Sequence, residues 1–408
     1  MKLLSTPASP WRTPDHYWQH LSEATAALDT PYGVLSLDAL SHNAADLVRR
    51  ASGLPIRVAS KSIRVREVMD AVLALDDYRG VLAYTLAEAL WLADTIDDVV
   101  VGYPTVDRAA IAALGTSPAR ADRVTIMIDS VEHLDFVDSV LSPHHRETIR
   151  VCIDIDASWQ SPLLGHVGAH RSPVHSAAQA RTLASTVVDR DGFTLVGVMA
   201  YEAQIAGVSN RPPGRPLYGQ MLDVVQRSSA KELRTRRGEI VASIREIAEL
   251  EFVNGGGTGS LESTADDPAV TEVAAGSGLF GPHLFDQYSH FAPAPAAAFA
   301  LSVDRKFSPH IATVHGGGWI ASGEPRPDRM PQPVWPRGLK YVPREGAGEV
   351  QSPLTGPAAE PLGVGDRVWF RHTKAGELSE HLNEFAVVGD GRIVETVPTY
   401  RGEGKVFL

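Results

Sequence analysis

The sequence predicts an α/β protein, a TIM-like (β/α)8 barrel followed by a C-terminal all-β domain. Three observations predict it. Short β-rich runs recur at 56–60, 80–83, 99–102, 124–128, 150–155, 195–200, 252–254 and 273–276. Segments rich in Ala, Leu, Glu and Arg separate them, at 67–75, 86–94, 107–114, 131–141, 175–190 and 231–250, with apolar residues at helical spacing. Beyond about residue 290 that helical spacing largely stops. Strands that alternate with helices run parallel. Eight of them in about 230 residues fit a closed barrel. An open doubly wound sheet is the alternative; it needs no set strand count.

Taken in order, residues 1–30 are an N-terminal extension, and periodicity does not decide whether they cap the barrel or pack on the β domain. Residues 31–290 form the barrel. Ala and Pro crowd 292–298, and β-like runs with turn signals follow at 299–304, 311–315, 368–371, 384–388 and 392–397. The stretch 323–361, rich in Pro and Gly, reads as surface chain, and 291–408 as the β domain. Hydrophobic residues make up 44% and charged residues 21%, as in a soluble globular protein. A net charge of −11 without a basic run argues against nucleic acid or an anionic membrane as partner. No stretch is apolar for long enough to span a bilayer, and residues 1–14 lack an apolar core with a cleavage site, so a cytoplasmic protein is expected. Cys152 is the only cysteine, which rules out an intrachain disulfide and a cysteine-based zinc site within one chain. In Arg150-Val151-Cys152-Ile153 it reads as a small core hydrophobe.

Barrels do their chemistry at the C-terminal ends of the strands. After the first strand comes Ser60-Lys61-Ser62. A lysine is ordinarily a solvated surface group, but here an apolar strand delivers it to the mouth, where its amine can serve Schiff-base chemistry. Arg57, Arg64 and Arg66 are near in sequence, in directions the sequence leaves open. After the fifth strand come Asp154 and Asp156, whose spacing points them the same way. They are acid/base groups or a cation site, or one of them caps the next helix. His166, His170 and Arg171 follow, and Arg171 can hold an anion or a ring oxygen. Tyr201 ends the sixth strand; its hydroxyl faces the mouth or its ring packs under a loop.

The seventh strand runs into Asn254-Gly255-Gly256-Gly257-Thr258-Gly259-Ser260. Successive glycines expose backbone N–H groups, and the hydroxyls add donors, a combination suited to phosphate. It is neither a Walker A loop nor a dinucleotide fingerprint. A second Gly/Ser loop, Ala275-Gly276-Ser277-Gly278, follows the eighth strand. Barrels often bind phosphate through these two loops. One mouth thus offers a lysine, a phosphate cradle, an arginine and a tyrosine. A cofactor with an aldehyde and a phosphate uses all four, and pyridoxal 5′-phosphate (PLP) is such a cofactor.

At these residues the chain resembles the fold-type III PLP enzymes, the alanine-racemase-like barrels of D-threonine aldolases and D-serine dehydratases. Leu37-Asp38-Ala39-Leu40-Ser41-His42-Asn43 is similar to the start of that barrel, and Arg57 through Ser62 to its lysine strand. Gly197 through Glu202 is similar to its Gly-x-x-x-Tyr-Glu strand, Gly255 through Gly259 to its phosphate loop and Glu272 through Gly276 to its second phosphate segment. The resemblance implies Lys61, Tyr201 and Arg171 as catalytic residues. It implies a cofactor site of those three with Gln204, Gly256, Gly257, Thr258, Gly276 and Ser277. Gln204 stands where the family often has histidine.

The resemblance also implies a PLP-dependent lyase acting on a D-β-hydroxy amino acid, by retro-aldol cleavage or by dehydration. A racemase on the same scaffold and a PLP-binding protein without turnover are the alternatives; the β domain argues against the second. A head-to-tail homodimer is implied. So is a divalent metal, held in the family by a His-x-Asp or His-x-Cys pair, for which the counterpart here is His381-Leu382-Asn383. Asparagine is a weaker ligand than aspartate or thiolate, which leaves the metal open.

Overall fold

The computed structural model describes residues 1–324 and 326–408. The chain divides into two compact units. One holds residues 47–61, 75–275 and 407–408, and the other holds 1–46, 62–74 and 276–406.

The first unit contains a closed barrel of eight strands. In chain order they are Ile56–Ala59, Tyr78–Ala83, Val99–Val101, Val124–Ile128, Ile149–Asp154, Phe193–Ala200, Phe252–Gly255 and Glu272–Ala275. Each pairs in parallel with the next, and the eighth closes on the first through Val273 beside Ile56. These are the eight runs the sequence marks out. The strand Val124–Ile128 is buried at every position, as parallel strands covered on both faces must be. Val100, Met127, Cys152, Val196, Met199 and Phe252 fill the interior. Cys152 is fully buried there, the core hydrophobe that its setting predicts.

Helix starts follow the local capping chemistry. Thr85 and Asp107 accept backbone N–H groups at the heads of Leu86–Leu92 and Arg108–Gly115. Ser176 and Gln179 form a reciprocal capping box at the head of Ala177–Val188. The sequence starts one helix at 231, whereas the structure runs it from Pro216 to Arg245. Its first turns carry Leu217, Tyr218, Met221 and Val224 at helical spacing, all of them exposed.

Arg57 does not point to the mouth. Its guanidinium donates to both carboxylate oxygens of Glu272, at 2.7 and 2.9 Å, and to both of Asp98, at 2.8 and 2.9 Å. Asn254 donates to Glu272 at 2.8 Å. Asp98 precedes the third strand and Glu272 begins the eighth, so the network sits at the N-terminal end of the barrel. Burial works against the Arg57 charge, but Glu272 and Asp98 more than offset it and hold its pKa above the ordinary value.

The other unit is built on a nine-stranded mixed sheet. Its longest strand, Ala297–Ser308, pairs antiparallel with Ile311–His315, Arg367–Arg371 and Tyr32–Ser36. Tyr32–Ser36 also runs parallel to Glu384–Gly389, which pairs with Arg392–Pro398. The sequence reading assigns residues 31–46 and 276–290 to the barrel; both fall in this unit. The reason is visible in Tyr32–Ser36, which is buried at all five positions like a barrel strand but takes its partners from the C-terminal sheet. The N-terminal helix Pro14–Ala24 packs on that sheet, with Tyr17, Trp18 and Leu21 against Tyr32, Val34, Ala300 and Trp369. Trp369 Nε1 donates to Ser22 at 2.7 Å. That settles where the first 30 residues go. Among the described residues no helix is long and apolar enough to cross a membrane.

Candidate active site

The barrel's strand ends bring several polar side chains together. Lys61 lies in the short turn Ser60–Ser62 after the first strand and is exposed. Its Nζ is 3.1 Å from the hydroxyl of Tyr103, which follows the third strand in Gly102-Tyr103-Pro104. The Arg171 guanidinium lies over two rings, 4.9 Å from the centroid of Tyr103 and 5.8 Å from that of Tyr201. Tyr201, at the end of the sixth strand, reaches the glycine loop: a Cβ on Gly257 would lie 3.1 Å from its ring. Lys61, Arg171, Tyr201 and Gly257 are thereby linked across one mouth through Tyr103, which the sequence reading passed over.

Arg171 is pinned. Its Nε donates to Asp154 Oδ2 at 2.6 Å and its Nη2 to the Gly102 carbonyl at 2.6 Å. Asp154 is fully buried, and its Oδ1 has no hydrogen-bond partner among the described residues. Burial pushes the Asp154 carboxyl up to about 6, against the pull of Arg171. The two aspartates therefore part ways. Asp156 accepts from the Ser158 backbone N–H and hydroxyl and sits 3.0 Å from His175, a loop-ordering role. Burial opposes its charge, yet those hydrogen bonds hold its carboxyl below the usual range. Neither aspartate caps the next helix, because Ser176 does.

The Asp154 shift has a measurable consequence. A carboxyl whose pKa is higher folded than unfolded binds its proton more tightly in the folded state. Its contribution to stability is full below about pH 4 and is lost as the pH rises through about 6. Asp154→Asn cannot ionise. Relative to wild type it is therefore expected to gain on the order of 2 kcal/mol between pH 4 and 7. Denaturant unfolding at a series of pH values reads this; a pH-independent difference would mean that Asp154 titrates normally.

The glycine loop stands on Glu202, a buried carboxylate that the sequence reading quoted without a role. Glu202 Oε2 accepts the Gly256 N–H at 3.1 Å, and Oε1 accepts the hydroxyls of Thr264 and, at 3.4 Å, Ser260. Buried Arg237, on the long helix, donates to Glu202 at 3.3 Å and to Asp267 at 3.2 Å. Gly256 has φ +83°, a conformation that favours glycine. Gly257 N–H donates to Ser260 Oγ at 3.2 Å, and buried Thr258 gives its carbonyl to Arg50 at 2.6 Å. Burial, with the neighbouring Glu202 charge, pushes the Tyr201 hydroxyl up to about 12, so it is held as a hydrogen-bond donor.

Other expected residues have contacts of their own. Gln204 is buried and donates to the Ala157 carbonyl at 2.7 Å and to Ser229 at 2.8 Å, tying the loop to the long helix. Its Oε1 has no hydrogen-bond partner among the described residues. Gly276 and Ser277 follow the last residue of the eighth strand and open the short helix Ser277–Phe280. His166 and His170 stack on each other at 4.1 Å. Arg64 pairs with Glu380, and Arg66 with Glu403. His381 lies flat on Trp319, 4.9 Å between ring centres, and burial with nearby Arg401 lowers its pKa. With Asn383 it lines a cavity of about 540 Å³ beside Arg401. Among the described residues no group of three or more His, Cys, Asp and Glu is placed to hold a metal. The carboxylates Asp29 and Glu384 line the same cavity, but among the described residues they are not gathered with His381 into a ligand set, and Arg401 adds a cation there.

Comparison with known proteins accords with this geometry. The family described as alanine racemase, N-terminal domain, matches residues 35–283. The 3-hydroxy-D-aspartate aldolase of Paracoccus denitrificans is 25% identical over 256 residues, covering 62% of this chain and 60% of that protein. The D-threonine aldolase of an Arthrobacter species is 26% identical over 263 residues, covering 62% of each. The alignments thus span less than two thirds of either relative. In three dimensions the chain is similar to a D-threonine aldolase from Filomicrobium marinum, with a TM-score of 0.75 and 20% identity over 93% of this chain and 96% of that one. A family match over more than half of the chain, on a closed eight-stranded barrel, makes this protein a member of the alanine racemase N-terminal domain family.

Proposed function

We propose that the protein is a PLP-dependent lyase acting on a D-β-hydroxy amino acid. The observation that carries the reading is the linked set at the barrel mouth: Lys61, then Arg171, then Tyr201, then the glycine loop. The aldolases of D-threonine and 3-hydroxy-D-aspartate among its relatives support the substrate class.

The site fits the cofactor on two features. An exposed lysine amine stands at the end of the first strand, and the loop after the seventh keeps glycine where a side chain would strike Tyr201 and Ala206. When bound, PLP supplies an aldehyde for the lysine and an electron-poor ring that takes up negative charge developing at the substrate's Cα. The chain does the rest. Lys61 Nζ would hold the aldehyde carbon and is the group placed to move a proton. Gly256, Gly257 and Thr258 let the backbone come close to phosphate, with Glu202 fixing the loop's shape. Arg171, held by Asp154, would offer the ring a cation, and Tyr201 would offer a hydrogen-bond donor.

The reading is tested with the purified protein and PLP. A visible absorbance band that borohydride removes is expected, with the label on Lys61. D-threonine, D-serine and D-3-hydroxyaspartate then follow, with their L-isomers as controls. Glycine plus an aldehyde marks cleavage, and a 2-oxo acid plus ammonia marks dehydration. Racemised alanine without either product set would replace the lyase by a racemase.

Gly257→Val gives a sharper check on the loop. The added Cβ would sit 3.0 Å from Ala206 and 3.1 Å from Tyr201, tighter than most real contacts, so the neighbours must give way. Overpacking of this kind costs about 1–3 kcal/mol. PLP affinity is expected to fall by about tenfold or more in an equilibrium titration. Unchanged affinity would place the phosphate elsewhere.

A further inference from the structure

We propose that Tyr103 is a catalytic residue whose hydroxyl takes and returns the proton of the Lys61 amine. The proposal rests on the reading of Lys61 as the group that joins the cofactor. Four observations carry it. The Tyr103 oxygen is within hydrogen-bond distance of Lys61 Nζ, at 3.1 Å, and the amine also lies 5.6 Å from the ring centroid. Arg171 covers the same ring at 4.9 Å, so two cations face one phenol. The segment is held in place, because Gly102 donates its N–H to the Ala83 carbonyl at 2.8 Å and gives its own carbonyl to Arg171. Tyr103 is 40% exposed, so the residue is not sealed in the core.

The groups that face this phenol are Lys61 after the first strand, Arg171 with its partner Asp154 after the fifth, and Tyr201 after the sixth. Burial disfavours a phenolate here, but Lys61 and Arg171 more than offset it and lower the Tyr103 pKa. Tyr201 is pushed the other way and cannot substitute. A lysine ammonium has no lone pair. The Tyr103 phenolate removes one N–H proton: that N–H bond breaks, an O–H bond forms, and the electron pair stays on nitrogen. One negative and one positive charge become two neutral groups. The reverse transfer restores the ammonium.

The test is the rate at which PLP-free protein takes up PLP, read as borohydride-trapped label on Lys61 from pH 6 to 10 for wild type and Tyr103→Phe. Near neutrality the variant is expected to load about 10- to 100-fold more slowly. The deficit should close at high pH, where solvent deprotonates the amine. Pyridoxamine phosphate, which has the ring and phosphate but no aldehyde, should bind both proteins equally. Tyrosine difference absorbance should show one low-titrating phenol in wild type and none in the variant. Equal loading rates with the same pH profile would overturn the role of Tyr103 and leave Lys61 standing. Wild-type protein that traps no label on Lys61 would overturn both.

Discussion

Lys61→Ala is expected to abolish borohydride-stable attachment of PLP and to lower turnover of any D-β-hydroxy amino acid by about a thousandfold or more. The size follows from what is lost. A positioned acid/base group alone contributes about 10²–10⁴-fold, and here the same nitrogen is also the covalent anchor. The fold should not suffer. Lys61 is exposed, and the turn that carries it is closed by Ser60, whose hydroxyl donates to the Leu82 carbonyl at 3.1 Å. PLP should still bind to the variant through phosphate contacts, reversibly and without the lysine-linked absorbance band. Lys61→Arg separates charge from nucleophilicity, because a guanidinium keeps the positive charge but does not condense with aldehydes under these conditions. Both variants should therefore fail alike. Trapped label of normal yield on Lys61→Ala would move the attachment site to another lysine, and the strand-end reasoning would fall with it.

That reasoning was productive because the barrel makes position informative. Short apolar runs at regular separation, broken by helix-length segments, located all eight strands, and the ends of those strands located Lys61, Arg171, Tyr201 and the glycine loop. What stayed hidden has physical causes. Gly102-Tyr103-Pro104 carries turn chemistry on both sides of the tyrosine, so only its place at the end of the third strand singles Tyr103 out. Glu202 is explained by partners 35 to 62 residues away, from Arg237 to Thr264, which no local pattern reports. Two-residue spacing placed Asp154 and Asp156 on one face, but spacing does not say which partner each meets. Asp154 met Arg171, 17 residues on, and Asp156 met its near neighbour Ser158. The sequence reading does not mark Tyr32–Ser36 as a strand of either unit. Burial on both faces is the same signal in a barrel and in the middle of a sheet, and only the pairing partners tell them apart.

Arg57 shows what the direction of a side chain decides, and it gives the largest expected effect on stability. The guanidinium is fully buried and serves two carboxylates; the Glu272 side chain is 5% exposed and that of Asp98 37% exposed. Arg57→Met removes the cation but leaves Glu272 in the barrel floor with Asn254 as a remaining donor. Breaking a buried pair in this way costs about 3–5 kcal/mol, because a desolvated charge is left without its partner. Asp98 adds little to that sum, since water already reaches it. The double variant Arg57→Met/Glu272→Met leaves no orphaned carboxylate and should recover most of the loss. Denaturant unfolding of wild type, both single variants and the double variant closes the cycle. Because the network lies at the N-terminal end of the strands, the Lys61 absorbance band should survive in every variant that folds. Full loss of the band in a folded Arg57→Met protein would show that the two ends of the barrel are coupled. A destabilisation below about 1 kcal/mol would show that water enters the floor and solvates Glu272.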